Sequence, residues 1–237
     1  AGLTNRILSR FANRVLEGFP ETFKADDHTI FTGNPVRADI AALEHPELRL
    51  ANREDHALRV LVVGGSQGAL ALNQALPEAL ARMPHEQRPQ VWHQAGPRFL
   101  EETRQRYREA GVEGRVDAYI EDMAEAYAWA DVVVCRAGAL TIAELAAAGV
   151  GSILVPFPFA VDDHQTKNAH FLSRAGAAVL MPQSQLTPET LAEVLQDLAT
   201  DRARVMGMAI AARAQAHPEA VRHVADICEA VMKGDVA

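Results

Sequence analysis

The sequence predicts an α/β protein: a doubly wound, mostly parallel sheet of Rossmann-like type, with helices on both faces. Three observations carry this reading. From Arg59 onward, short apolar, β-rich runs alternate with helical stretches, which is the pattern of βα units. Two of those runs end in small-residue corners that open directly into helices, at Gly64–Ala69 and at Arg136–Thr141. The chain has 237 residues, 49% hydrophobic and 23% charged, enough to bury a core and ordinary for a globular protein.

The elements follow in order. A first helix is expected from Thr4 to about Glu17, because Leu3, Ile7, Phe11, Val15 and Phe19 recur at every fourth position. Arg6, Arg10 and Arg14 form a parallel basic stripe. This reads as a docked helix with a solvated basic face, or as a surface that touches anionic lipid. A short strand, His28–Thr32, meets the turn-rich junction Gly33-Asn34-Pro35-Val36-Arg37. Ala41–His56 is polar, carries Pro46 and reads as a linker with one helical turn. Strands are then predicted at Arg59–Val63, Gln90–His93, Arg115–Ile120, Asp131–Val134, Ser152–Val155 and Ala177–Leu180. Between them lie helices at Ala69–Met83, Arg98–Ala110, Met123–Trp129, Thr141–Ala148 and Thr166–Ala175. Right-handed crossovers make this alternation a doubly wound domain. The tail is helical. Thr187-Pro188-Glu189 is a start signal, Thr as N-cap and Pro at the first helical position, and further helices cover Asp201–Ala214 and Glu219–Lys233.

Charge and composition exclude several functions. The 31 acidic and 23 basic residues give a net charge of −8 with no Lys/Arg block, so no nucleic-acid partner is expected. A local anion site stays open, because backbone amides hold phosphate without net positive charge. Two cysteines, Cys135 and Cys228, are too few for a disulfide framework and fit a reducing, cytoplasmic compartment. No secretory signal opens the chain. The uncharged run Leu145–Val161 is broken by Gly149, Gly151, Pro156 and Pro158 and falls short of the roughly 20 residues that span a bilayer. The chain lacks an initiator Met and starts inside a helical pattern, which suggests part of a longer polypeptide.

Three segments could carry chemistry. In Val60–Ala69 a buried strand ends in Gly64-Gly65-Ser66-Gln67-Gly68 and opens a helix. Glycines admit an oxygen-rich group, and the helix N-terminus offers free N–H groups and a partial positive charge. The spacing is neither that of the dinucleotide fingerprint nor that of a P-loop, and a tight βα turn would need the same glycines. In Val132–Glu144 a second strand runs through Arg136-Ala137-Gly138 into a helix. There Thr141-x-x-Glu144 reads either as a capping box or as a carboxylate placed to accept both hydroxyls of a ribose whose phosphates sit at the helix start. The third segment, Pro156–Asn168, follows a strand's carboxyl end, where such sheets bind ligands. His164, Gln165 and Asn168 there suit sugar hydroxyls, although Asp163 or Thr166 could simply cap the next helix. The nine scattered histidines include no H-E-x-x-H, and there is no Cys-x-x-Cys, G-x-S-x-G or D-x-D. No metal and no cofactor are therefore expected.

Several of these words, taken together and in order, resemble the MurG family of glycosyltransferases. They are Gly33-Asn34-Pro35-Val36-Arg37, Val62-Val63-Gly64-Gly65-Ser66-Gln67-Gly68-Ala69, Trp92-His93-Gln94-Ala95-Gly96, Tyr127–Thr141 and Glu144–Gly149. The resemblance implies the two-domain glycosyltransferase-B architecture. Residues 1–37 would end the N-terminal, acceptor-side domain and 38–217 would form the C-terminal Rossmann-like domain that binds UDP-GlcNAc. Residues 218–237 would be a helix crossing back. The first part of the family's N-terminal domain has no counterpart here, and the general base is expected in that segment. The implied reaction moves GlcNAc from UDP-GlcNAc to lipid I with inversion, making lipid II for peptidoglycan at the cytoplasmic face of the bacterial inner membrane, with peripheral contact to anionic lipid. The chain would then mainly hold the donor. Implied contacts are Arg37, Ser66, Ile120 (to uracil, through its backbone), the helix start Ala139, Leu140, Thr141, Ile142 and Ala143, Glu144 to the ribose, and Gln165 to the sugar. Gly65, Gln67 and His164 are further candidates. Alternatives are a UDP-GlcNAc 2-epimerase-like enzyme, for which the sequence offers no matching carboxylates and histidine, and a non-catalytic nucleotide-sugar binding domain.

Overall fold

The computed structural model describes residues 2–24, 26–53, 56–65, 67–158 and 163–234. Its main sheet has six parallel strands: β3 (Arg59–Val63), β4 (Gln90–Gln94), β5 (Arg115–Asp117), β6 (Val132–Cys135), β7 (Gly151–Leu154) and β8 (Ala178–Leu180). Their spatial order is β5-β4-β3-β6-β7-β8, every pair parallel. A separate two-stranded parallel sheet pairs β1 (Val15–Glu17) with β2 (Thr29–Phe31). The expected doubly wound fold is thus present, its helices displaced from the predicted bounds by a few residues at most except at the start of the chain.

Helices cover both faces because the strands are apolar on both sides. On β3, Val60 and Val62 pack into one core with α4 (Leu70–Arg82), α5 (Leu100–Ala110) and α9 (Pro188–Thr200). Leu61 and Val63 pack into the other, with α6 (Met123–Trp129), α7 (Ala139–Ala148), α8 (His164–Ser173) and Ile40 of α2 (Ala38–Ala41). Helix α10 (Arg202–Arg213) serves both, through Met208 on one side and Ala212 on the other. The chain order places α4 and α7 on opposite faces although β3 and β6 are neighbours. The winding direction therefore reverses between these two strands, and a crevice must open at their carboxyl ends.

The first helix is shorter than expected. Helix α1 covers only Leu3–Leu8, and Val15–Glu17 is a strand whose Val15 N–H donates to His28 C=O at 2.8 Å. The four-residue spacing of Leu3, Ile7, Phe11 and Val15 misled because positions four apart share a face in a strand as well as in a helix. Pairing with Thr29–Phe31 decided the outcome. The segment is not docked along its stripe either: Ile7 is 48% and Phe11 82% exposed. The linker expected at Ala41–His56 contains one turn, α3 (Pro46–Arg49). The Thr187 start signal of α9 holds, with Thr187 and Thr190 capping each other. The last helix, α11 (Ala220–Lys233), buries only Ala220 among its described residues. No helix among the described residues is long and apolar enough to cross a membrane.

Candidate functional site

The crevice lies where the topology requires it. A cleft of about 700 Å³ is lined by Gly64, Gly65, Gln67 and Gly68 of the β3–α4 corner and by Arg136, Gly138 and Thr141 of the β6–α7 corner. Phe157, Gln165 and Gln183 close its far side. Both corners thus face one hollow. Helix α4 starts at Leu70 and α7 at Ala139, and neither start receives a side-chain cap. The first N–H groups of α7 have no intrahelical acceptor and carry the positive end of its dipole. Such an end takes an anion.

The β3–α4 corner is shaped by backbone contacts. The Gly65 carbonyl accepts from the Gly68 N–H at 2.9 Å and from Gln94 Nε2 at 3.1 Å. Gly68 has φ +76°, and a Cβ there would stand 2.2 Å from the Ala95 carbonyl oxygen. Its glycine is therefore required both by conformation and by the approach of the next strand's loop. Ser66 lies outside the described residues. Gln67 is exposed on the cleft.

At the second corner the capping-box reading of Thr141 and Glu144 fails. The N-cap is Gly138, so Thr141 is already inside the helix and Glu144 lies a turn further on. The Glu144 carboxylate instead accepts from the Tyr127 hydroxyl, Oη to Oε2, at 2.9 Å. It is half-buried. Burial pushes its pKa above the ordinary carboxylate value, while the Tyr127 bond and the charge of Arg37 pull the other way. Arg37 is exposed at the junction into α2. Ala139 and Leu140 are exposed at the helix start, Thr141 and Ala143 are half-buried, and Ile142 is fully buried. The Ile142 side chain is therefore core, and its N–H already donates to Gly138 C=O at 3.0 Å. Ile120 is likewise buried by its side chain, leaving only its backbone to offer a ligand.

Arg136 is the residue that sequence reasoning missed. Its Nη1 donates to the carbonyls of Val155 and Pro156 at 3.1 and 3.2 Å, its Nη2 to Gln183 Oε1 at 2.6 Å, and its guanidinium sits 5.4 Å from the Phe157 ring centroid. A cation interrupting an apolar strand-to-helix corner was the available signal. Burial lowers its pKa somewhat. In the third segment Gln165 lines the cleft, and its Oε1 accepts from the Phe157 N–H at 2.9 Å. Asp163 does not cap the backbone of α8 but accepts from the Thr166 hydroxyl at 2.6 Å. Asn168 turns to the other corner, donating to Ala137 C=O at 3.1 Å. His164 is exposed at the start of α8 and does not line the cleft. Among the described residues no group of three or more His, Cys, Asp or Glu side chains is placed to hold a metal ion. The arrangement is that of an anion cradle with one carboxylate a helical turn away.

Known proteins with this chain's features are glycosyltransferases. Residues 59–224 match the glycosyltransferase family 28 C-terminal domain. A UDP-N-acetylglucosamine–N-acetylmuramyl-(pentapeptide) pyrophosphoryl-undecaprenol N-acetylglucosamine transferase of Marinobacter nauticus is 58% identical over 96% of this chain and 62% of its own length. The crystal structure of Acinetobacter baumannii MurG superposes with a TM-score of 0.82 at 42% identity, over 96% of this chain and 63% of that one. The calicheamicin glycosyltransferase CalG4, 20% identical with a TM-score of 0.60 over 95% of this chain and 55% of its own, shares the fold. The chain thus spans less than two thirds of the length of the relatives it matches. Its sheet is of the glycosyltransferase-B, Rossmann-like type, and by the match over residues 59–224 the chain belongs to glycosyltransferase family 28.

Proposed function

We propose that this chain is the donor-binding part of an inverting N-acetylglucosaminyltransferase that moves GlcNAc from UDP-GlcNAc to lipid I, giving lipid II for peptidoglycan. The observation that carries the reading is the single cleft shared by two uncapped helix starts at the reversal point of the sheet. The printed names of the relatives supply donor and acceptor. In this reading the pyrophosphate lies against the amides of Ala139, Leu140 and Thr141, with Ala143 and the Ile142 backbone beside them. Gly65, Gln67 and Arg136 line the cleft beside it, and Ser66 bonds the diphosphate. Glu144 accepts the ribose hydroxyls, the Ile120 backbone reads uracil, Arg37 reaches the donor from the junction, and Gln165, with His164 near it, takes the sugar.

The chemistry follows from charge. The acceptor hydroxyl attacks the anomeric carbon in line, that carbon's bond to the pyrophosphate oxygen breaks, and its configuration inverts. Negative charge grows on the departing UDP, where the α7 start and Arg136 stabilise it without reorganising. The base that takes the acceptor proton belongs to the acceptor-side domain, of which residues 1–37 are the end. Residues 38–217 form the donor domain and 218–237 the helix that returns, in keeping with an α11 buried only at Ala220. Calorimetry tests the donor reading. UDP-GlcNAc should bind the chain, and Glu144→Ala should weaken it roughly 10–100-fold, as loss of bonds to a charged group does. An unchanged affinity would remove Glu144 from the ribose.

Peripheral contact with the cytoplasmic face of the inner membrane fits exposed Ile7, Leu8 and Phe11 beside Arg6 and Arg10. Apolar side chains with neighbouring cations suit an anionic bilayer surface. The chain should co-sediment with phosphatidylglycerol vesicles better than with phosphatidylcholine vesicles; Phe11→Ser should weaken both, and Arg6→Ser with Arg10→Ser should abolish the difference.

A further inference from the structure

One buried titratable group bonded to Glu144 has no part in the scheme above. Tyr127, on α6, is 1% exposed and sits in the same core cluster as Ile120. A phenol hydroxyl carried that far inside must find an acceptor. It reaches across to α7 and donates to Glu144 Oε2 at 2.9 Å. Among the described residues Oε1 of Glu144 accepts no hydrogen bond. The terminal torsion of a glutamate is intrinsically broad, so nothing in the side chain itself fixes the plane of the carboxylate. The tyrosine does so, committing one lone pair of Oε2 and leaving Oε1 for a ligand.

We propose that Tyr127 is a positioning residue for the pentose, its hydroxyl orienting the Glu144 carboxylate so that it grips a vicinal pair of hydroxyls rather than one. The inference rests on the assignment of Glu144 to the ribose and deepens it: the site would discriminate ribose from 2′-deoxyribose, and Tyr127 would set that discrimination without touching the ligand. Surrounding groups agree with a directional role. Arg37 and Asp39 act on the same carboxylate from the α2 side, and buried Cys135 interacts electrostatically with the pair. With charges of both signs nearby, an unfixed carboxylate would have competing orientations.

Calorimetry of the 237-residue chain with UDP and with 2′-deoxy-UDP provides the test. Wild type should prefer UDP. Tyr127→Phe, which keeps the ring, should lose roughly 5–20-fold in UDP affinity but much less for 2′-deoxy-UDP, so the ratio contracts. A purely structural tyrosine would lower both equally or neither. Glu144→Gln separates the two levels of the argument. If Glu144→Gln contracts the ratio and Tyr127→Phe leaves it unchanged, the positioning role is wrong and the ribose assignment stands. Should Glu144→Gln leave the ratio at the wild-type value, the ribose assignment falls and this inference with it. A folding-independent measurement uses the wild-type sequence with its three tyrosines replaced by 3-fluorotyrosine. The 19F resonance of Tyr127 should move on saturation with UDP and less with 2′-deoxy-UDP, and equal shifts would overturn the proposal.

Discussion

Glu144 meets opposed demands from folding and from ligand. Its pKa in the folded chain is raised, chiefly by burial, so the native state holds the proton to a higher pH than the unfolded chain does. Between the ordinary carboxylate value and the raised one, the native state binds more protons, and stability falls as pH climbs through that window. The cost is fully present above that window. Glu144→Gln should therefore melt at a higher temperature than wild type at a pH above it, and the gain should vanish at a pH below the ordinary carboxylate range. The same variant should bind UDP more weakly, the usual exchange of stability for activity at a working site. Much at this scale was legible in the sequence. The two small-residue corners and Glu144 stand out because an apolar strand leads straight into each turn. Arg136 and Tyr127 were not, because their roles depend on partners 47 and 17 positions away, Gln183 and Glu144.

At the scale of elements, α7 is held at the end remote from the cleft. Arg49, which is buried, donates from Nη1 to Ala148 C=O and from Nη2 to Gly149 C=O, each at 2.6 Å, and Arg213 donates to Ala147 C=O. These are the carbonyls a helix leaves without partners, and cations are favoured at that end. Desolvation, with Arg53 and Arg213 nearby, draws the Arg49 pKa down to about 10, so it remains charged at neutral pH. Arg49→Met keeps the apolar stem and strands two buried carbonyls. It should cost about 2–3 kcal/mol in urea unfolding, with the slope of the transition unchanged. No sequence pattern marked this device: α3 reads as a linker turn, and its arginine meets α7 and its C-cap at sequence separations of 99 and 100. Strands and helices from Arg59 onward were legible because each is long and periodic enough to declare its type. The α1–β1 segment was not, because its spacing suits both states and a distant strand chose between them.

For the molecule as a whole, one buried histidine shapes the response to acid. His93 of β4 donates from Nε2 to Asn73 Oδ1 on α4 and accepts at Nδ1 from the Tyr107 hydroxyl on α5, both at 3.0 Å. The tautomer follows from Asn73, whose Nδ2 is committed to Ala95 C=O. Burial alone lowers the His93 pKa to about 3. The unfolded chain takes up that proton near the ordinary histidine value of 6.5, so unfolding gains protons as pH drops and stability is lost from about pH 6.5 downward. Each pH unit should remove about 1.4 kcal/mol at most from this group. Urea midpoints measured from pH 7 to pH 4.5 should show the decline, and His93→Gln should flatten it. The doubly wound parallel sheet was implied by the alternation alone, whereas its strand order, β5-β4-β3-β6-β7-β8, came from the structure. The position of the crevice then followed from topology, with no ligand needed to find it.

The arginines that hold the far end of α7 have one more consequence. Arg49 is buried and Arg213 half-buried, so dissolved ions reach them less than they reach surface lysines, whose pull weakens as ionic strength rises. A nucleotide seated on the opposite end of that helix is attracted by aligned peptide groups whose counter-charges are already neutralised in the interior. Its affinity should thus fall less steeply with ionic strength than that of a site built on surface lysines.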